Sequence, residues 1–356
     1  MGLVCLEDFD LSTLEFKASA WRHHYERLLK RYSDQARFVE ADYGFGDKRI
    51  ETHFIEANYS NAHVRRTESG YNIRIASTFP YLLKALFSRV LADPEVMDWL
   101  PYESVGDVLE QEVYFSTDSR DIGNQSFVQQ ETTLLRDKVA TILSDIAMEF
   151  VFLHELGHIL GGHVESQPQK RELSELSLTR QSCKQQRTLN RVWEFEADMI
   201  AANLLKSYAG TLIKTASATS DPDLRAIFGP PQFAVEQCTS LSVIACYVLF
   251  RYLRETSSRL DLKNNHPDPL VRAACVRNTL FSCIAERHKI NQELFEDMLS
   301  ARFEEFDDVL EQNGIHAGMV LTDERLDDVN IAVAELHKSR SELGHKVAPY
   351  RYFNWP

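Results

Sequence analysis

Two histidines, and the glutamate that follows the first of them, are the clearest candidates for chemistry in this sequence. His154, Glu155 and His158 belong to the segment His-Glu-Leu-Gly-His. On an α-helix, side chains four positions apart lie on one face about one turn apart, so both imidazoles can bind the same metal ion. In this pattern the glutamate lies beside the open coordination position, where it can take a proton from a water molecule. The segment therefore predicts a zinc site with Glu155 as a general base.

The alternative is that both histidines are exposed on the surface of a helix. The segment follows a long apolar run with helical spacing, and it is followed by Gly161 and Gly162, which are typical of the end of a helix. Because this context favours burial, we expect the two imidazoles to line a cleft.

A catalytic zinc ion needs a third protein ligand. His163 would match the pattern HExxHxxGxxH only if it stood at residue 164, which is valine. Glu194 and Asp198 are again one helical turn apart, so one can bind zinc while the other accepts the N–H of a ligating imidazole. Glu196 points to a nearly opposite face of the same helix. We therefore expect Glu194 to be the ligand, Asp198 the acceptor, and His163 to lie near the site or on the surface.

The elements that must position these residues are mostly helical. Apolar spacing predicts a long helix at about 131–163, which carries the histidines, and a second at about 187–208, which carries the carboxylates. Further helices are predicted at 16–36, 81–91, 231–256, 269–287, 291–312 and 323–341, and the alternating run 71–75 predicts a strand. A second short strand is expected near residue 113.

This pattern predicts a mainly α protein with a small β-sheet in the N-terminal third (α+β), and a zincin-like catalytic core built on the helix of the HExxH segment. Three regions are expected. Residues 1–130 form an N-terminal α+β region that contributes the sheet, 131–290 form the helical core of a zinc peptidase, and 291–356 form a C-terminal helical extension.

Composition restricts the class of protein further. The 356 residues carry a net charge of −14, and an acidic chain repels phosphate backbones, so no nucleic-acid partner is expected. The six cysteines form no CxxC pair, which favours a reduced, cytoplasmic protein.

The most apolar stretch, 241–250, has about half of the ~20 residues that a membrane span needs. We therefore expect no membrane span, and the N-terminus does not match a secretory signal.

The pair of segments HELGH and EFEAD resembles the gluzincin metallopeptidases, specifically the HtpX and CAAX-prenyl-protease type, whose third zinc ligand is the glutamate of an E-F-x-A-D segment. The later segment from His266 to Arg272 matches their HPxxxxR helix start. That type is embedded in the membrane, whereas this chain is similar, without such spans, to the family of the bacterial phage-exclusion peptidase Lit. The resemblance covers roughly residues 70–285 and implies proteolysis of a host protein in antiviral defence.

By the same resemblance, His266 and Arg272 would lie near the zinc ion. A histidine on the open side could donate a hydrogen bond to the oxyanion formed during peptide hydrolysis. The alternative is that His266 and Pro267 only begin a helix, with proline in its first turn.

The sequence thus predicts a zinc metalloendopeptidase that acts on a protein or peptide, with a regulatory partner or self-association as a further expectation. The alternative is a zinc-containing sensor or partner-binding module, in which the metal is structural and His163 supplies a fourth ligand.

Overall fold

A computed structural model describes residues 19–56, 61–101, 111–115, 125–129, 132–166, 172–174, 184–253, 267–312 and 323–353. The helices in these ranges are α1 (Ser19–Asp42), α2 (Thr78–Val90), α3 (Leu134–Leu160), α4 (Lys184–Ala218), α5 (Pro222–Phe228), α6 (Ala234–Leu253), α7 (Pro269–Ala285), α8 (Gln292–Gln312) and α9 (Asp323–Leu343). The strands are β1 (Arg49–Ile55), β2 (Ala62–Arg66), β3 (Gly70–Ala76), β4 (Gln111–Phe115), β5 (Gln125–Gln129) and β6 (Glu172–Ser174). The prediction of a mainly α protein with a small sheet near the N-terminus is confirmed.

The larger sheet has four strands in the order β1-β3-β2-β6. Strands β1 and β3 are parallel, whereas β2 is antiparallel to both of its neighbours. Val64 and Ile73 face each other across β2 and β3 and are fully buried, so one face of the sheet packs into the core. Strand β6 comes from beyond residue 130, so the sheet also includes a strand from the region predicted as helical core. Strands β4 and β5 form a separate antiparallel pair, with the first of them at the position expected for a strand near residue 113.

Helix α3 lies at the centre of the molecule, where it packs against α2, α4 and α6. Its side chains are buried without interruption from Leu143 to Leu160, as its apolar sequence requires. Arg136, in the first turn, is itself buried and donates to the carbonyl oxygens of Leu91, Asp93 and Val96, each at 2.9 Å. These bonds satisfy carbonyl groups at the end of α2 and fix the start of α3 against it.

Helix α6 contains the most apolar stretch of the chain. In the part of the chain that the structure describes, Pro231–Leu253 is the one segment long and apolar enough to cross a membrane, and 89% of its most apolar window is buried inside the protein. Such burial is typical of a helix in the core of the protein, so the segment does not indicate a membrane protein.

After α9 the chain returns to the end of α3. A segment of ten residues, 344–353, contains two short 3-10 turns, Gly344–Lys346 and Ala348–Tyr350. The backbone N–H groups of Tyr352 and Phe353 donate to the carbonyl oxygen of Leu160 at 2.9 and 3.0 Å. This C-terminal segment therefore closes the last turn of the helix that carries the two histidines.

Candidate metal centre

The two histidines of α3 lie on one face of the helix, as their spacing requires. Their imidazole Nε2 atoms are 3.2 Å apart. His154 and His158 are only 1% and 2% exposed, so neither is a surface histidine. The alternative of an exposed pair on a helix surface is wrong.

Glu194, on α4, brings a carboxylate to the same point. Its Oε2 lies 3.3 Å from His154 Nε2, and its Oε1 lies 3.6 Å from His158 Nε2. The three ligand atoms all lie within 4.8 Å of one another, and all three residues are buried. This group could hold a metal ion.

The separations fit a small tetrahedral ion. Protein nitrogen and oxygen ligands bind zinc at about 2.0–2.2 Å, which places tetrahedral neighbours about 3.3–3.6 Å apart. The two Nε2 atoms are 3.2 Å apart, and each lies near an oxygen of Glu194, Oε2 at 3.3 Å from His154 and Oε1 at 3.6 Å from His158. The donor set of two imidazoles and one carboxylate suits the borderline metal ions rather than Mg²⁺ or Ca²⁺, which prefer oxygen ligands.

Helices α3 and α4 pack closely at the point where both could bind one ion, because Gly157, between the two histidines, has no side chain. A Cβ added to Gly157 would lie 2.8 Å from the carbonyl oxygen of Ala197 and 3.1 Å from its Cα. Such contacts with backbone cannot be relieved by a side-chain rotation, so a residue with a side chain would push α4 away. Gly157 thus sets the distance between the imidazoles and Glu194.

Asp198 orients the first imidazole. Its Oδ1 lies 2.9 Å from His154 Nδ1, while Arg272 on α7 donates through Nε to Oδ2 and through a terminal nitrogen to Oδ1, both at 2.8 Å. Burial alone raises the pKa of Asp198, but the charge and hydrogen bonds of Arg272, together with His154, bring that pKa below its ordinary value. The ionised carboxylate accepts the Nδ1–H of His154, which leaves the Nε2 lone pair for a metal.

The second imidazole is oriented differently. His158 Nδ1 lies 3.0 Å from His163 Nδ1, and His163 Nε2 lies 3.1 Å from Glu196 Oε2. His163 is fully buried, and its ring stacks on Trp193 with centroids 5.6 Å apart. Of the two positions expected for His163, near the site or on the surface, the structure shows the first.

Glu196, which sequence reasoning assigned no role, is 1% exposed and is surrounded by cations. Burial alone raises the pKa of Glu196, whereas the hydrogen bond from His163 and the charges of Arg351 and Arg340 lower it to about 2. Its position on the face opposite Glu194 was visible in the sequence. Its partners Arg340 and Arg351 follow it by 144 and 155 residues, and no local pattern links them.

The structure brings together most of the residues predicted for the site. Glu155 is 1% exposed and follows His154 on the central helix, and Arg272 reaches the site through Asp198. His266 lies outside the described residues, so its predicted role stays a prediction. Pro267 and Asp268 are described, and Asp268 caps α7 by accepting the N–H of Leu270 at 2.9 Å.

No family model, curated protein or solved structure matches this chain. The metal centre therefore rests on the geometry of the chain itself, and the family resemblance of its motifs stays a prediction.

Proposed function

We propose that this chain is a zinc-dependent endopeptidase of the gluzincin type, with a zincin-like core formed by α3 and α4. One observation carries the proposal: His154, His158 and Glu194 converge in a buried group that could hold a metal ion, directly beside Glu155. Two histidines and one glutamate are the protein ligands of catalytic zinc in one class of peptidases, in which the fourth position stays open.

The roles of the residues follow from their positions. When bound, the zinc ion would polarise a water molecule and the scissile carbonyl. The carboxylate of Glu155 takes the proton from the attacking water and passes it to the nitrogen of the leaving amine. Asp198 and Arg272 hold His154 in the tautomer whose Nε2 faces the site.

The position of His163 favours the enzyme over a module with a structural metal. A closed zinc site needs four protein ligands, and His163 was the candidate for the fourth. Both of its ring nitrogens are already directed to other groups, Nδ1 to His158 and Nε2 to Glu196. Because an imidazole binds a metal through one of these nitrogens, His163 would have to give up at least one partner to bind the ion, which supports a site with three protein ligands from the described residues.

The substrate class we propose is a protein or peptide, cleaved in the cytoplasm. The motifs HELGH and EFEAD and their likeness to the Lit family favour a bacterial antiviral role, in which a host protein is cleaved. A soluble peptidase of this kind is consistent with α6, the most apolar helix of the described chain, being buried in the core.

The decisive experiment compares cells that express the wild-type chain with cells that express Glu155→Gln. Mass spectrometry of protein N-termini is expected to show new cleavage products only with the wild type. Glu335→Gln, which changes an exposed glutamate of α9, is the matched control and is expected to cleave like the wild type. The purified Glu155→Gln protein is expected to retain one equivalent of zinc and the circular dichroism of the wild type.

Two outcomes would contradict the proposal. Cleavage by Glu155→Gln would remove the general base from the mechanism. Zinc binding by the wild type without any new N-termini in infected or uninfected cells would favour the structural module instead.

A further inference from the structure

The two imidazoles of the metal centre are held by chains of contacts that run to different parts of the molecule. His154 reaches Asp198 directly, and Arg272 on α7 completes that chain. His158 reaches a carboxylate only through a second histidine, because His163 stands between it and Glu196. The two metal ligands are therefore positioned independently.

The proton positions along the second chain follow from metal binding. If Nε2 of His158 binds a metal, its Nδ1 must carry the proton and donate to Nδ1 of His163. His163 then carries its own proton on Nε2 and donates it to Glu196. A carboxylate oxygen of Glu196 accepts that bond, and Arg340 and Arg351 fix the position of this carboxylate by donating to it.

Arg351 belongs to the C-terminal segment 344–353. One of its terminal nitrogens donates to both carboxylate oxygens of Glu196, at 2.7 and 2.9 Å, while Arg340 of α9 donates to Oε1 at 3.2 Å. The segment is fixed at this place by further contacts. The ring of Tyr352 stacks on Phe45 with centroids 4.0 Å apart, and its hydroxyl accepts from Lys48 at 2.8 Å.

The glycines that follow the HELGH segment fit the same arrangement. A Cβ on Gly161 would lie 2.6 Å from Nε2 of His163, so only glycine leaves room for that ring. Gly162 has φ +74°, and a Cβ there would lie 2.7 Å from the backbone carbonyl carbon of Tyr350. The absence of a side chain at Gly161 thus leaves room for the ring of His163, and its absence at Gly162 leaves room for the C-terminal segment.

We propose that His163, Glu196 and Arg351 are positioning residues that fix the tautomer and the ring orientation of His158, so that the C-terminal segment is part of the metal site. This inference rests on the proposed zinc-binding function. It assigns an effect on metal affinity to Arg351, which follows Glu196 by 155 residues, and to His163, which is not itself a ligand.

The test is Arg351→Met, which keeps most of the apolar part of the side chain and removes its charge. Zinc affinity is measured by competition with a chromophoric chelator, and the visible spectrum of the Co²⁺-loaded protein reports the geometry of the ligands. Loss of an outer partner of a ligating histidine typically lowers metal affinity by about 10–100-fold. We expect a loss of at least roughly tenfold for Arg351→Met, together with a changed Co²⁺ spectrum.

Arg302→Met is the matched control. Arg302 is also largely buried and forms an ion pair, with Glu305 on α8, but it has no contact in the chain that leads to His158. It is expected to keep the zinc affinity and the Co²⁺ spectrum of the wild type. Arg351→Lys keeps the charge and is expected to keep most of the wild-type affinity. If Arg351→Met does not fold, His163→Phe is the test variant: it keeps a ring beside Trp193 but removes the nitrogen atoms that contact His158 and Glu196, so the same loss of zinc affinity is expected.

The outcomes separate this inference from the proposed function. If the wild type binds no zinc, the proposed function fails. If the wild type binds zinc and Arg351→Met binds it with the same affinity and the same Co²⁺ spectrum, the proposed function stands and the inference is overturned. A purely structural role for Arg351 would lower the free energy of unfolding of the folded variant without changing its Co²⁺ spectrum, which also overturns the inference.

Discussion

At the scale of single residues, the site depends on buried charges that compensate one another. Asp198 is fully buried and Arg272 is 2% exposed, so neither charge could remain there without the other. Such a pair contributes little to stability compared with apolar packing, but the loss of one partner leaves an uncompensated charge. The pair instead orients His154, because Asp198 fixes the tautomer of an imidazole that could bind a metal ion.

Asp198→Asn is therefore expected to lower both metal affinity and stability. The amide can still accept a hydrogen bond but leaves the charge of Arg272 uncompensated, which costs about 3 kcal/mol. The weaker acceptor lowers zinc affinity by about 10–100-fold. Chelator competition measures the affinity, and urea unfolding of the metal-free protein measures the stability.

The control for this prediction is Asp223→Asn, which changes an aspartate paired with Lys138 at the surface. It is expected to change neither quantity measurably, because solvent screens an exposed pair. An Asp198→Asn protein with unchanged affinity would show that His154 needs no carboxylate to hold its tautomer.

A second histidine, outside the metal centre, predicts how stability depends on pH. Burial, followed by the positive charges of Arg27, Arg31 and Lys84, lowers the pKa of His24 to about 4. The guanidinium of Arg27 donates to His24 Nδ1 at 2.8 Å, which requires a neutral ring with a lone pair on that nitrogen. The unfolded chain takes up this proton near pH 6.5, so it binds more protons than the folded chain between pH 6.5 and about 4.

The folded state is therefore expected to lose stability through His24 as the pH falls across that window. From the shift in the pKa of His24, the free energy of unfolding would fall by roughly 3 kcal/mol. Because solvent screens the charges at this partly exposed position, we expect a smaller loss of ~1–2 kcal/mol. Urea unfolding of the wild type and of His24→Gln between pH 7 and 4 measures it, and the variant should lose less stability. His23→Gln, at the exposed neighbouring position, should follow the wild type; equal slopes for all three proteins would rule out His24 as the cause.

At the scale of elements, the site is made by two helices and the distance between them. Helices α3 and α4 each supply candidate metal ligands from a face that the other helix covers, so their packing sets the geometry of these side chains. The same helix, α4, contains Gly210, around which an added Cβ would meet nothing within 4 Å. Gly157 is therefore a helical glycine packed against backbone, whereas Gly210 is a helical glycine beside open space.

Gly157→Ala and Gly210→Ala are expected to have opposite effects. Alanine favours the helix over glycine by about 0.5–1 kcal/mol, and Gly210→Ala should gain that much stability without changing metal binding. At Gly157 the Cβ would overlap the backbone of Ala197, so we expect a loss of about 1–3 kcal/mol and weaker zinc binding as α4 moves away. Thermal unfolding and zinc titration measure both effects. A stabilised Gly157→Ala protein with full zinc affinity would contradict the role given to this contact.

Helices could be predicted where residues close together in the sequence specify them. Helix α3 was expected at about 131–163 because its apolar residues recur with helical spacing, and the metal ligands His154 and His158 follow from one turn of that helix. Helix α4 continues to Ala218, past the end expected near residue 208, because Gly210 is tolerated on an open face. Helix α5 was missed, although Asp221 followed by Pro222 is a typical start, with Asp221 accepting the N–H of Asp223 at 2.8 Å.

Contacts between distant segments could not be predicted. Strands β1 and β2 lack a clear alternation, since β1 mixes exposed and buried residues and pairs with β3 in parallel. The link from His163 through Glu196 to Arg351 joins three segments that only the tertiary structure brings together. Sequence spacing therefore predicted which side chains could bind a metal, but not what holds one of them in place.

At the scale of the whole molecule, metal binding is expected to be coupled to global unfolding. The ligands come from α3 and α4, which lie in one continuous core with α6 and α7, and the outer partners come from α7, α9 and the C-terminal segment. The unfolded chain has no preformed site, so an ion that binds the folded state stabilises all of these elements together.

Zinc at a thousand times its dissociation constant should thus raise the free energy of unfolding by about 4 kcal/mol. Differential scanning calorimetry of the chelator-treated and zinc-loaded wild type measures the effect as a higher Tm. His154→Ala is expected to abolish the shift, because it removes one of the three proposed ligands, whereas Glu155→Gln should keep it in full, because the proposed role of Glu155 is that of a base and not of a ligand. Mg²⁺ should produce no comparable shift, since it prefers octahedral oxygen ligands. If zinc stabilised His154→Ala as much as the wild type, the ion would be bound somewhere other than between α3 and α4.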